Sequence, residues 1–239
     1  MRVAIMQPYF LPYIGYFQLL NLVDAFVIYD NVKYTKKGWI NRNRLLQSGT
    51  DILMTIPLQH ASDHSLIVER FVSPNFQRAK LLNMVSELYR RAPHFDRVFS
   101  MFEYIVHHDD RNLFGFLQHS LAAVCDYLRI KPKVIVSSSV PIDHQLCAQE
   151  KVLAICKALG ATEYVNPEGG VSLYSADSFL QQELRLRFLR AKPVPYQQFG
   201  NDFVPFLSIL DVLMFNSVEV VNQKIVSEFE IFEGSSHAS

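Results

Sequence analysis

The run Arg2-Val3-Ala4-Ile5-Met6 shows no alternation of polar and apolar side chains, and neither does Ala25-Phe26-Val27-Ile28-Tyr29. A strand without a polar face must be covered on both sides, as in a parallel sheet between helical layers. Between the two runs, Phe17, Leu20 and Val23 fall at helical spacing and supply the crossover that a parallel pair requires. This opening predicts a βαβ unit.

The same pattern returns later in the chain. Lys133-Val134-Ile135-Val136 reads as a strand, and residues 145–159 as a helix with Leu146, Val152, Leu153, Ile155 and Cys156 inward. Gly160 stands just past its end, and Glu163-Tyr164-Val165-Asn166 reads as the next strand. Between the two units, residues 51–57 and 66–72 read as a third and a shorter fourth strand. Helical patterns follow at 81–89, stopped by Pro93, then at 95–107 and 111–128. The remainder predicts a short helix at 177–182, an alternating strand at 184–189, a helix at 206–215 and a last helix at 218–229. A polar tail follows that is expected to fray. The expected architecture is an α/β fold, a mainly parallel three-layer sheet with Rossmann-like βαβ units and a helical middle or cap subdomain. Residues 1–74 and 130–216 would form the α/β core with the ligand site, 75–129 a helical insertion, and 217–239 a C-terminal helix and tail.

Composition narrows the function class. The chain of 239 residues balances 23 Lys and Arg against 23 Asp and Glu, so it lacks the basic excess of a nucleic-acid binder. No apolar run approaches the roughly 20 residues of a membrane span. Cys125, Cys147 and Cys156 form no C-x-x-C pair and each falls in apolar helical sequence, which predicts reduced, buried thiols. Met1 leads into a strand pattern without a leader-like segment, so a cytoplasmic location is expected. G-x-S-x-G, P-loop and H-E-x-x-H patterns do not occur. His107-His108-Asp109-Asp110 reads as the end of one helix and the cap of the next, and no metal ligand is assigned.

In open α/β sheets ligands bind outside the carboxyl ends of the strands. That rule places Gln7, Tyr13, Gly15 and Tyr16 after the first strand, Asp30 after the second, and Asn166, Gly169 and Gly170 after the strand of the second unit. Gly15 near a helix start would let a ligand approach backbone N–H groups. Lys33, Lys36, Lys37, Arg42 and Arg44 put five cations between positions 33 and 44, interleaved with Trp39, Asn41 and Asn43. Guanidinium groups clamp phosphate or carboxylate, and an indole with amides orients a polar ligand. If this is a binding loop, Arg42→Ala or Asn43→Ala should abolish ligand response and leave the melting temperature nearly unchanged.

Gln7-Pro8-Tyr9-Phe10-Leu11-Pro12-Tyr13-Ile14-Gly15-Tyr16-Phe17, with Asp30-Asn31-Val32-Lys33-Tyr34, Gly38-Trp39-Ile40-Asn41-Arg42-Asn43, Gly160-Ala161, Asn166-Pro167-Glu168-Gly169-Gly170 and Phe206-Leu207-Ser208-Ile209-Leu210-Asp211-Val212-Leu213, resembles the WbqC-like protein family along nearly the whole chain. That resemblance implies a part in bacterial surface-polysaccharide biosynthesis of the O-antigen type, acting on an amino sugar or nucleotide sugar. The opening unit is also similar to pantothenate synthetase and the nucleotidylyltransferases. Tyr13-Ile14-Gly15-Tyr16 stands where those enzymes carry H-x-G-H, with tyrosine in place of both histidines.

The most concrete reaction these likenesses imply is N-acylation or aminoacylation of the sugar amine by an activated carboxylate, as ATP- and Mg-dependent amide formation. The alternatives are an acyl or sugar-group transferase with a preactivated donor, and a noncatalytic sugar-binding or scaffold protein. Lys37, Arg42 and Arg44 would stabilise phosphate charge, Tyr13 and Tyr16 would donate hydrogen bonds, and Asp30 would orient the amine or ribose; with a preactivated donor, Asp30 or Asp211 would act as base. Gln7, Tyr13, Gly15, Tyr16, Trp39, Asn41, Asn43, Asn166, Gly169, Gly170, Tyr174 and Ser208 would bind substrate.

Overall fold

The computed structural model describes residues 1–200 and 202–233. Its main sheet contains β1 (Arg2–Met6), β2 (Ala25–Ile28), β5 (Val134–Val136), β6 (Glu163–Pro167), β7 (Arg185–Ala191) and β8 (Phe229–Glu233), in the order β5-β2-β1-β6-β7-β8. The first five are mutually parallel, and β8 pairs antiparallel with β7 at one edge. This is the doubly wound order, in which the chain first builds outward on one side of β1 and then on the other.

Both faces of the sheet are covered. Val3, Ile5, Ala25 and Val27 pack with Val152, Ile155 and Cys156 of α5 (Ala148–Ala158) and with Phe179 of α6 (Ala176–Leu180). Ala4, Phe26 and Ile28 face the other way, onto Phe17 and Leu20 of α1 (Ile14–Leu22). Successive side chains of a strand point to opposite faces, so each apolar run feeds two cores at once. The α/β three-layer expectation holds.

Helices α2 (Arg78–Tyr89), α3 (Phe95–Val106) and α4 (Leu113–Leu128) fill the middle of the chain and share the apolar cluster of α1. The cap of α4 is Asn112, whose Oδ1 accepts from the N–H groups of Phe114 and Gly115; Asp110 only accepts from Asn112 N. The capping role read into Asp109 and Asp110 therefore belongs to Asn112, two residues further on. α7 (Ile209–Phe215) and α8 (Val218–Ser227) close this layer. The buried amide of Gln18 donates to the Lys224 and Glu228 carbonyls, tying α1 to the end of α8.

Cys125 and Cys156 are buried as expected, but Cys147 is exposed, because it stands at the cap of α5 and not on its inward face. Three expectations of local structure also change. The basic loop runs into a strand, β3 (Arg42–Gln47), which forms a separate antiparallel hairpin with β4 (Thr50–Thr55). Ser48 and Gly49 both have positive φ, 49° and 83°, as a two-residue type I′ turn demands. Residues 66–72 form a 3₁₀ turn at Ile67–Glu69, closed by Leu66 N–H donating to Glu69 Oε2, with isolated bridges on either side. Burial of Ile67 and Val72 explains the strand-like pattern. The last helix stops at Ser227 and gives way to β8, and the tail expected beyond it lies outside the described residues.

Asp211, fully buried in α7, joins several of these parts. Its Oδ2 accepts from Tyr89 Oη at 2.7 Å, and its Oδ1 accepts from Tyr196 Oη at 2.5 Å and Gln198 Nε2 at 2.9 Å. Tyr89 Oη in turn accepts from Leu46 N–H in β3. Asp211→Ala would strand two phenols and an amide, and should lower unfolding free energy by about 3 kcal/mol in urea denaturation. A second test concerns His119, whose ring stacks on His108 at 3.8 Å. Burial, then His108, holds its pKa below the free value of 6.5, so the unfolded chain takes up the proton first. Stability should therefore fall as pH drops below 6.5, and His119→Phe should flatten that slope in urea titrations.

Candidate functional site

The turn after β1 is built before any ligand arrives. Leu11 is fully buried and has a left-handed φ of 43°, a strained conformation for a branched residue. Its carbonyl accepts from Asn43 Nδ2 at 2.8 Å and from Ser208 Oγ at 2.7 Å, and the Phe10 carbonyl accepts from Asn43 Nδ2 at 3.1 Å. Backbone bonds from Phe10 N to Ile40 O and from Ile209 N to Pro12 O complete the clamp. Asn43 and Ser208 thus spend their hydrogen bonds on scaffold.

The clamp opens a cleft of about 360 Å³ where the strand order reverses, outside the carboxyl ends of β1 and β6. The β1 turn contributes Tyr9, Pro12 and Tyr13. The hairpin side contributes Trp39, Asn43 and Arg44, and β6 leads into Glu168 and Gly169. Leu189 and Ala191 of β7 and the exposed Phe206 finish the lining. Aromatic rings dominate the walls, with Tyr13 edge-on to Phe206 at 6.2 Å.

Two charges face this apolar space. Arg44 donates through Nη2 to the Phe206 carbonyl at 3.1 Å and lies 5.6 Å from the centre of the Trp39 ring. Glu168 accepts from Arg190 Nε at 2.8 Å, which fixes the direction of its carboxylate. Burial, followed by the neighbouring Tyr9 and Glu168, pushes the Tyr13 phenol up to about 12, and burial also raises that of Tyr9. Both remain neutral hydroxyls near pH 7, able to donate and accept.

The expected site residues divide sharply. Tyr13, Trp39, Asn43 and Gly169 come together in the cleft, with Arg44 from the basic stretch. Gly15 lies beneath the Tyr13 ring, where a Cβ would collide with it, so packing explains the glycine. Tyr16 is buried and donates to the Gln7 carbonyl at 3.0 Å. Asn41 bridges Tyr34 Oη and the Ile56 carbonyl. Arg42 donates to the Gly38 and Lys37 carbonyls, and the Lys37 side chain is exposed outside the cleft.

Asn166 accepts from Tyr164 Oη, which also meets Tyr174 Oη at 3.2 Å, and Gly170 leaves room for the Asn166 amide. The acids expected as bases also lie elsewhere. Asp30 is buried at the end of β2, its Oδ1 accepting from Ser138 N and Ser137 Oγ. Asp211 has both oxygens occupied inside the scaffold. Tyr9, Pro12, Glu168, Leu189, Ala191 and Phe206 are the cleft residues that sequence reasoning passed over. Tyr9, Pro12, Glu168 and Phe206 stand within the quoted motifs, whereas Leu189 ends the strand read at 184–189 and Ala191 lies just beyond it.

Comparison with known proteins adds two findings. The family described as the WbqC-like protein family matches residues 7–223. A Mycobacterium tuberculosis protein described as uncharacterized is 30% identical over 217 residues, covering 89% of this chain and 92% of its own length. No solved structure matches the chain.

The clamp reverses the expected behaviour of Asn43. Asn43→Ala should cost about 2 kcal/mol by leaving the Phe10 and Leu11 carbonyls unpaired, measurable by denaturant unfolding. Trp39→Ala, at a half-open position, should leave the same curve within about 0.5 kcal/mol of the native one.

Proposed function

We propose, from the fact that this chain belongs to the WbqC-like protein family, that it is an enzyme of bacterial surface-polysaccharide synthesis that N-acylates an amino sugar held in the aromatic cleft. The observation that carries this reading is an aromatic-walled cleft at the sheet's switch point, bearing one guanidinium and one carboxylate. A sugar ring presents apolar faces and polar edges. Rings of Tyr9, Tyr13, Trp39 and Phe206 suit its faces, while the two phenols suit its hydroxyls.

In the proposed reaction the sugar amine attacks the acyl carbonyl carbon. The new C–N bond forms, the bond from acyl carbon to leaving group breaks with its electron pair on the leaving group, and the amine proton passes to a carboxylate. Glu168 takes the role of base, because it alone of the acids considered lines the cleft, and Arg190 holds its orientation.

The donor would arrive already activated, as a thioester for instance. An ATP- and Mg-dependent route fits the first turn of α1 poorly. The Tyr13 ring lies over Gly15 there, and the second position of the former H-x-G-H spacing, Tyr16, is buried. Glycine-rich nucleotide turns keep that surface bare for pyrophosphate.

The test combines purified protein with amino sugars and acyl thioesters, followed by mass spectrometry of the product. Glu168→Gln should reduce turnover by about 10²–10⁴-fold while sugar still binds. Sugar binding without product from any donor, with or without ATP and Mg²⁺, would reassign the chain to the noncatalytic binding class.

A further inference from the structure

We infer that the sugar entering this cleft is carried on a diphosphate, and that Arg42 and Arg44, both set against Trp39, recognise that diphosphate. The inference rests on the sugar-cleft reading above and narrows its substrate to the nucleoside-diphosphate class.

Arg42 and Arg44 are alternate residues of β3 and therefore project to the same face. Their guanidinium carbons lie 5.9 and 5.6 Å from the centre of the Trp39 ring. Each is held in place by backbone carbonyls. Arg42 donates through Nε to Gly38 at 3.0 Å and through Nη2 to Lys37 at 2.7 Å, and Arg44 donates through Nη2 to Phe206 at 3.1 Å. A guanidinium carries five N–H donors, so both side chains retain donors for a ligand while already oriented.

Carbonyl partners orient these cations without neutralising them. Among the described residues, Arg42 has no carboxylate within 4.0 Å, and the nearest for Arg44 is the half-exposed Asp51 at 3.7 Å. Two preoriented and poorly compensated guanidiniums, two positions apart on one strand, suit two linked anionic groups better than one. Trp39, 39% exposed, lines the cleft beside Arg44, with Arg42 outside that lining, as a surface on which an amphipathic ligand can lie.

The distribution of charge gives the substrate a direction. Arg44 stands on the hairpin wall and Glu168 on the β6 wall of the same cleft. A diphosphate is drawn to the first, whereas Glu168, ion-paired through Oε1 with Arg190 at 2.7 Å, keeps Oε2 as an acceptor for an amine. A molecule with a diphosphate on one side of the sugar and an amine on another satisfies both walls.

Trp39 is the single tryptophan of the chain, so its fluorescence reports on this place alone. Wild-type protein is titrated with UDP-glucosamine, UDP, inorganic pyrophosphate, inorganic phosphate and free glucosamine. UDP-glucosamine should bind about a hundredfold more tightly than glucosamine, and pyrophosphate more tightly than phosphate, with affinities that fall as salt rises. Arg42→Met and Arg44→Met should each weaken UDP-glucosamine by about tenfold and leave glucosamine unchanged.

Equal affinity for UDP-glucosamine and glucosamine would overturn the inference and leave the sugar cleft standing. Arginine-dependent binding of pyrophosphate and UDP, with no gain from any attached amino sugar, would overturn the sugar cleft and retain the diphosphate site. The comparison of ligands on wild-type protein decides the matter even if a variant loses the carbonyl contacts that hold its loop.

Discussion

The carbonyl of Leu11 is the point on which the site depends. It accepts hydrogen bonds from Asn43 in the hairpin and Ser208 at the cap of α7, residues that lie far apart in the chain. A fully buried carbonyl in a left-handed backbone conformation persists only when its surroundings hold it there. Here one group binds the β1 turn, β3 and α7 together. The aromatic side chains of the turn, Tyr9 and Tyr13, are thereby presented to the cleft instead of collapsing into the layer beneath.

A division of labour among the polar groups follows. Asp211, Asn41, Asn43, Ser208 and Tyr16 are buried and bonded within the protein, because an unpaired polar group in that environment would cost more than the fold can spare. Asp30 belongs to a second polar knot, in which Lys151 donates to both the backbone and side-chain oxygens of Asn31. The groups left with unspent capacity are the phenols of Tyr9 and Tyr13, the guanidiniums beside Trp39 and the carboxylate of Glu168. Chemistry at the cleft rests on those few because the others are committed to structure.

Much of the architecture was legible in the sequence. Apolar runs at 2–6 and 25–29, and the strand–helix–strand pattern from 133 to 166, carry the burial of both sheet faces in their composition. The hairpin was harder to read. Arg42, Asn43 and Arg44 look like loop, and the turn at Ser48-Gly49 becomes a hairpin signal only when both flanking strands are recognised. Asn43 and Ser208, expected to bind substrate, clamp the turn beside the cleft, and that role was not legible, since a side chain that clamps a carbonyl and one that binds a ligand are the same residue in sequence. Glu168 shows the converse: its importance comes from facing the cleft and from Arg190 on the neighbouring strand.

By itself the sequence determined the α/β class, the opening βαβ unit and the edge of the sheet at which a ligand could sit, because these follow from local periodicity and from the need to cover unbroken apolar strands; that the strands at 134–136 and 163–167 lie apart, with β2 and β1 between them, was not legible. Only the tertiary structure decided which polar residues are free to act. Buried donors and acceptors need partners, and those partners, Leu11 with Ser208 and Asp211 with Tyr89, like the exposed pair of Glu168 with Arg190, are set by contacts between segments that sequence spacing does not encode.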